Sequence, residues 1–429
     1  MIYTVVPGDT IETVAAKLNL PAALLAELNG IAADTPLVVG QALVALLPEL
    51  QYTVLPGDTL YSVARAFSTT VVQLYRNNPG LGGLPMMDAG RTLVIRYEEE
   101  PTRPLEVNAY AYPYISSELL GETLPFLTYF TPFTYGFTPE GALIPPEDER
   151  MITRALSYGV TPWMHLSTLT EQGNFSSELG LEMLQNPAAQ EVLIQNILRT
   201  MQEKHYQGLD VDFEFLGAAG AAPYAAFIDR VRQQLAPLGY PVVVALAPKV
   251  RADQPGTLYE GHDYAALGAA ADGVLLMTYE WGYTYGPPMA VAPIPSVRRV
   301  LDYAVTVIPR EKIFMGVPTY GYDWPLPYQP GVTKAESLSH LQAVALAREY
   351  GAEIQFDETA AAPYFVYTAA DGVVHEVWFE DARSISAKLE LVEEYGFRGI
   401  GYWNLDRPFP QNWSLLNSRY RIKNRLIQP

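Results

Sequence analysis

Gly208-Leu-Asp-Val-Asp-Phe-Glu214 is the stretch on which the architecture of this 429-residue chain turns. Asp210, Asp212 and Glu214 alternate with Leu209, Val211 and Phe213. A period of two is strand spacing, so the acids share one face and the apolar residues the other. Three carboxylates in a row cannot all stay ionised at close range. At least one is expected to hold a proton near neutral pH, the state a general acid needs. A solvated edge strand would also alternate in this way. The apolar neighbours and the helix-like segments on both sides favour an interior parallel strand.

Working outward, strand-like runs recur at 105–112, 126–131, 161–166, 208–215, 241–247, 273–279, 312–318 and 399–404. Amphipathic segments lie between most of them, at 146–158, 187–205, 221–238, 295–308 and 384–395. Eight parallel strands alternating with helices predict an α/β fold, a (β/α)8 TIM barrel over 105–429. The stretch at about 335–380, with an Ala369-Ala-Asp-Gly372 turn, reads as a small α+β insertion after the seventh strand. A doubly wound sheet fits less well, because no glycine-rich phosphate loop follows the first strand. Barrel chemistry sits at the C-terminal strand ends. Glu214 ends the fourth strand, with Asp210 and Asp212 facing inward beneath it. Met277-Thr-Tyr279-Glu280 ends the sixth, and Tyr402-Trp403-Asn404 the eighth.

The first hundred residues hold a repeat. Tyr3-Thr-Val-Val-Pro-Gly-Asp-Thr10 returns 49 residues later as Tyr52-Thr-Val-Leu-Pro-Gly-Asp-Thr59. Each copy reads as a short strand, a Pro-Gly-Asp turn and two helices, closed by an apolar strand at 41–46 or 92–95. Asp9-Thr10 and Asp58-Thr59 offer side-chain oxygens to start the first helix, and the aspartates are expected to cap it. The copies occupy 1–48 and 50–97. Glu98-Glu-Glu-Pro-Thr-Arg-Pro104 reads as a linker.

Composition narrows the function. The chain is 49% hydrophobic and 12% aromatic, which suits a sizeable folded core. The net charge of -19 argues against nucleic acid, whose phosphates it would repel. No cysteine is present, which removes disulfides, thiol catalysis and zinc-thiolate sites. The five histidines show no metal-ligand spacing, and no apolar run is long enough for a membrane span. The opening residues lack the basic start and apolar core of a secretory leader, so a protein made without a signal peptide is expected.

Both copies resemble the LysM module, a βααβ unit that binds N-acetylglucosamine-containing glycans such as peptidoglycan and chitin. The resemblance implies contacts from Thr10, Asn29 and Gly30 in the first copy, and from Thr59, Asn77, Asn78 and Pro79 in the second. The segment Gly208–Glu214 resembles the Asp-Gly-x-Asp-x-Asp-x-Glu signature of glycoside hydrolase family 18. Met277-Thr-Tyr-Glu280 and Gly401-Tyr-Trp403 resemble that family's sixth- and eighth-strand motifs. Gln207 and Glu280 stand where the family usually has Asp. The resemblance implies retaining hydrolysis of β-1,4 bonds after N-acetylglucosamine, assisted by the substrate's own acetamide. Glu214 would be the acid, Asp212 would orient the acetamide, Asp210 would share a proton with it, and Tyr279 would hydrogen-bond the acetamide. Trp403 would floor the site. Met277, Glu280, Tyr110 and Tyr112 would contact substrate, with Trp281 and Tyr283 as further groove aromatics. No metal or cofactor is implied.

Tandem LysM modules before such a barrel are most similar to the spore cortex-lytic N-acetylglucosaminidases of endospore-forming bacteria. That implies a role in germination and a place in the spore coat or cortex. A chitinase or chitooligosaccharide hydrolase would share every catalytic residue. An inactive glycan-binding coat protein is the alternative of another class, and it would be expected to lack Glu214.

Overall fold

A computed structural model describes residues 1–85, 87–101 and 103–424. The two repeats fold alike. The first has strands Ile2–Thr4 and Ala42–Val44 around helices Ile11–Lys17 and Ala22–Asn29. The second has strands Pro48–Thr53 and Thr92–Tyr97 around helices Leu60–Ala66 and Val71–Asn77. Each strand pair is antiparallel. The first helices are capped by Thr10 and Thr59, each in a reciprocal box with the residue three positions on. The aspartates, expected to cap, instead brace the turn. Asp9 accepts from the Tyr3 hydroxyl and the Val6 amide, and Asp58 from Tyr52 and Leu55.

The barrel strands run parallel in chain order: Arg103–Ala111, Tyr129–Pro132, Thr161–Pro162 with Met164–Ser167, Leu209–Asp212, Val242–Leu246, Gly273–Leu276, Ile313–Pro318 and Gly399–Trp403. The third is interrupted at Trp163. Its first piece pairs with Tyr129–Pro132 and its second with Leu209–Asp212, so the ring closes through it. The second strand starts at Tyr129, because Leu124–Phe126 forms a 3-10 turn. Leu209, Val211 and Phe213 are fully buried outside the ring. Each such side chain contributes about 1.5–3 kcal/mol. Phe213 stacks on Tyr224 and Phe227 of the helix Gly217–Leu235. The apolar half of the opening motif thus ties the strand to its following helix.

The insertion is a five-stranded antiparallel sheet with the helix His340–Glu349. It begins at Tyr320, not near 335, because its first strand, Tyr320–Leu326, follows the seventh barrel strand with only Thr319 between. One apolar run therefore hides two strands. The joint before the barrel is also shorter than expected. Arg103 already belongs to the first barrel strand, which Tyr420–Ile422 extends in parallel. Thr102 lies outside the described residues.

Both repeats are docked. In the first, the Val39 carbonyl accepts from the Ile354 amide at 2.9 Å, and Pro36 and Gly40 accept from Arg348 and Arg383. Val38 packs into the insertion's own core with Phe365 and Val377. In the second, Arg76 donates to the Pro125 carbonyl at 2.6 Å, and Asn417 donates to Asn77. The final helix, Pro410–Arg419, touches both repeats. Among the described residues no helix is long and apolar enough to cross a membrane.

Candidate active site

The three acids step upward through the barrel. Asp210 is fully buried, and its Oδ2 accepts from the Tyr110 hydroxyl at 2.5 Å. Burial pushes its carboxyl up to about 7, against the lowering effect of that bond. Asp212, one layer higher, is pushed well above the usual carboxylate range by burial, and further by the charges of Glu214 and Asp210. The Oδ1 atoms of Asp210 and Asp212 are both buried without a protein partner. A proton held on this pair would relieve both the desolvation and the repulsion. Glu214 is raised by burial and then by the charge of Glu280. Its environment therefore favours the protonated form that can act as an acid.

Glu214 lies just past the strand, which ends at Asp212. The turn there is braced from a distance. The Ala247 amide donates to His262 Nδ1 at 2.8 Å, and His262 Nε2 lies 2.9 Å from the Phe213 carbonyl oxygen. An amide can only donate, so Nδ1 accepts and the ring proton sits on Nε2, aimed at Phe213. Phe215 follows with φ +56, in the left-handed region, and turns the chain out of the barrel. On the neighbouring strand, His165 is buried against Phe133 and Tyr110. Burial holds its imidazole down at about 3, so it is neutral. Its Nδ1 meets the Thr134 hydroxyl at 2.6 Å, and its Nε2 lies 3.9 Å from Asp212 Oδ2. With a neutral ring this is a polar contact rather than an ion pair.

Above the acids opens a cleft of roughly 480 Å³. Asp212, Glu214, Met277, Tyr279, Glu280, Trp403 and Tyr112 all line it, as does Trp281. Four aromatics not singled out from the sequence join them: Phe133, Phe175, Phe215 and Tyr259. Trp403 sits against Phe133, Tyr112 and Tyr110 at ring separations of 4.9, 5.9 and 5.6 Å. Two expectations fail here. Tyr110 was expected to contact substrate, but it lies buried one layer down, with its hydroxyl on Asp210. Tyr283 does not line the cleft. Glu280 has φ +68, and its carboxylate accepts from the hydroxyls of Tyr320 and Tyr322 on the insertion's first strand. The insertion thus holds one residue of the wall in place without lining the cleft itself.

The candidate LysM contacts divide. Asn29 and Asn78 are buried clamps, equivalent across the repeat. Each side-chain amide donates to two backbone carbonyls, and each side-chain oxygen accepts from Val44 or Val94. Asn77 is buried too, donating to the Ile95 carbonyl. These three are therefore not surface contacts: their polar atoms are spent holding the closing strands. Thr10 and Thr59 stay near the surface as caps. Gly30 is exposed, but its φ is +64 and a Cβ there would lie 2.3 Å from Pro410. Pro79 is half-buried at the junction with the barrel.

A carboxylic acid poised in a sugar-sized cleft, above carboxyls that share charge and lined with flat aromatic faces, is the equipment of a barrel glycoside hydrolase. Comparison with known proteins specifies which. The profile of glycosyl hydrolases family 18 matches residues 171–407, and that of the LysM domain matches 3–45 and 52–96. The cortical fragment-lytic enzyme of Bacillus subtilis is 42% identical over 328 residues, 75% of this chain and 76% of that one. The crystal structure of the Bacillus cereus spore cortex-lytic enzyme SleL is similar over 99% of both chains, with 37% identity and a TM-score of 0.84. A chitinase from Chromobacterium violaceum covers 76% of this chain and 100% of its own, with 28% identity and a TM-score of 0.68. The chain belongs to glycosyl hydrolases family 18, and it is a glycoside hydrolase with two N-terminal LysM domains.

Proposed function

We propose that the protein is an N-acetylglucosaminidase of spore cortex peptidoglycan, acting in germination. It cleaves β-1,4 bonds after N-acetylglucosamine, with retention. The observation that carries this reading is the division among the carboxyls. Glu214 is the raised acid at the cleft, Asp212 stands beside it, and Glu280 is occupied by two tyrosine hydroxyls. One acid is thus left to move a proton, and one acid to steady the substrate.

In this mechanism Glu214 gives its proton to the glycosidic oxygen as the C1–O bond breaks. The carbonyl oxygen of the sugar's acetamide attacks C1 from the opposite side and forms an oxazolinium ion. Asp212 accepts from the acetamide N–H and offsets the positive charge, backed by Asp210. Tyr279 donates to the acetamide oxygen, and Trp403 lies under the ring. Water then attacks C1 and gives its proton to Glu214, so the β configuration returns. This is the substrate-assisted exception to the two-carboxylate scheme. The exposed first turns of the LysM modules, ending at Thr10 and Thr59, would hold neighbouring glycan. The similarity to cortex-lytic enzymes supports the substrate and the spore coat or cortex as its place.

The test is product analysis. The protein and its Glu214→Gln variant are incubated with cortex peptidoglycan, vegetative peptidoglycan and chitin oligomers, and new reducing ends are identified by mass spectrometry. Reducing-end N-acetylglucosamine from cortex is expected, with a loss of at least ~10²-fold in the variant. Release from chitin alone would make the protein a chitinase. Binding without release would make it a glycan-binding spore protein.

A further inference from the structure

Tyr114 is an aromatic ring that nothing in the reaction above uses. It is 74% exposed, yet it is held in place. One face lies on Tyr112, with ring centroids 5.2 Å apart and planes within 6°. Tyr112 lines the catalytic cleft and meets Trp403 edge-on. Its backbone amide donates to Asp406 on the loop after the eighth strand. The loop carrying Tyr114 is fastened as well. Arg150 donates to the carbonyls of Pro113 and Ile115 and to the Ser117 hydroxyl. A solvent-exposed ring of this size is not kept rigid by burial; the neighbouring contacts order it in advance, so a ligand stacking on its free face loses little entropy.

The same Arg150 lines a second groove, open and of roughly 770 Å³. Its floor is the helices Ser117–Thr123 and Glu149–Ser157, and its far wall is the second LysM module, through Gly82 and Leu84. That wall is fixed to the barrel. The Gly83 carbonyl accepts from the Tyr158 hydroxyl, and the Gly83 backbone lies so close to Gly121 that a Cβ would be 2.1 Å from its carbonyl oxygen. Leu84 is 52% exposed at the groove's edge.

We propose that these features form one extended glycan track. A strand bound at Trp403 and Tyr112 passes over the free face of Tyr114 and continues into the groove between the barrel and the second LysM module, against Leu84. The occupant is the outer part of the same N-acetylglucosamine-containing strand, because Tyr114 stacks on the cleft-lining Tyr112 and Arg150, which lines the groove, fastens the loop that carries Tyr114. The inference rests on the glycan-hydrolase reading. It adds that this protein selects long strands, and that the second LysM module does so as part of the substrate groove rather than as a separate tether.

The experiment uses the full chain carrying Glu214→Gln, with purified cortex glycan strands of graded length and affinity measured by calorimetry. Tyr114→Ala and Leu84→Ser are each added, and matching thermal melts check folding. Each substitution is expected to weaken binding of the longest strands by roughly three- to tenfold, the size of one aromatic or apolar contact. The loss should grow with strand length. Loss at Tyr114 without loss at Leu84, equal loss at every length, or no loss at any length would each overturn the track. Binding is read without turnover, so failure of the track is distinguishable from failure of the hydrolase, which cleavage by the unsubstituted protein tests separately.

Discussion

Asp210 shows what the site costs the fold. Its carboxyl has an ordinary value of 3.8 and is pushed up to about 7 by burial. The folded state therefore holds a proton that the unfolded chain releases earlier. The stability this contributes is full below the unfolded value and is lost as pH rises through the folded one. Asp210→Asn removes that loss while leaving an oxygen for Tyr110. The variant should melt higher than the parent near pH ~8, with a smaller difference near pH ~5, and should lose hydrolytic activity. Differential scanning calorimetry at the two pH values checks the sign. Glu280 makes a second case. Its charge raises Glu214, so Glu280→Gln should lower the pKa of Glu214. The acid then loses its proton sooner, and the alkaline limb of the kcat/KM profile moves to lower pH. A limb that stays in place would separate Glu280 from the acid. The acids themselves were legible, because alternation along one strand fixes their common face. The depth of Tyr110 was not. Tyr110 and Tyr112 share that parity, and only the position of the strand end puts one below the cleft and the other beside it. His165 and His262 carried no pattern at all, since their partners lie tens of residues away.

At the scale of elements, the repeat was readable as two equivalent units, but equivalence does not reveal burial. Asn29 and Asn78 stand at matching positions near a turn, where a surface role and a clamp look alike in sequence. The structure resolves them as clamps joining the second helix to the closing strand. Asn78→Ala would leave the Val94 amide and two carbonyls without their side-chain partner. The expected cost is about 2–3 kcal/mol, seen as a lower urea midpoint with unchanged slope. A change under about 0.5 kcal/mol would mean that water replaces the clamp. The insertion was recognised by its extra pieces. Its first strand was missed because Tyr320–Leu326 continues the apolar run of the seventh strand. That strand carries the two tyrosines that hold Glu280.

The whole molecule is more tightly joined than a linker reading suggests. Gly40 has φ +83, and a Cβ there would lie 1.8 Å from the Ile354 carbonyl oxygen. Gly40→Ala should therefore pry the first LysM module from the insertion. Small-angle scattering should show a larger radius of gyration, and the melt should split where the parent gives one transition; an unchanged profile would contradict docking through this contact. Because the insertion also holds Glu280, glycan-binding and catalytic parts share one framework. In the proposed mechanism the substrate's acetamide, steadied by Asp212, does the work of the second, nucleophilic carboxylate, and Glu214 is the acid. The most direct measurement is the anomeric configuration of the first product released from a β-linked N-acetylglucosamine oligomer, followed by proton NMR before mutarotation. Retention through the acetamide releases the β anomer first. Initial release of the α anomer would mean direct attack by water and would contradict it.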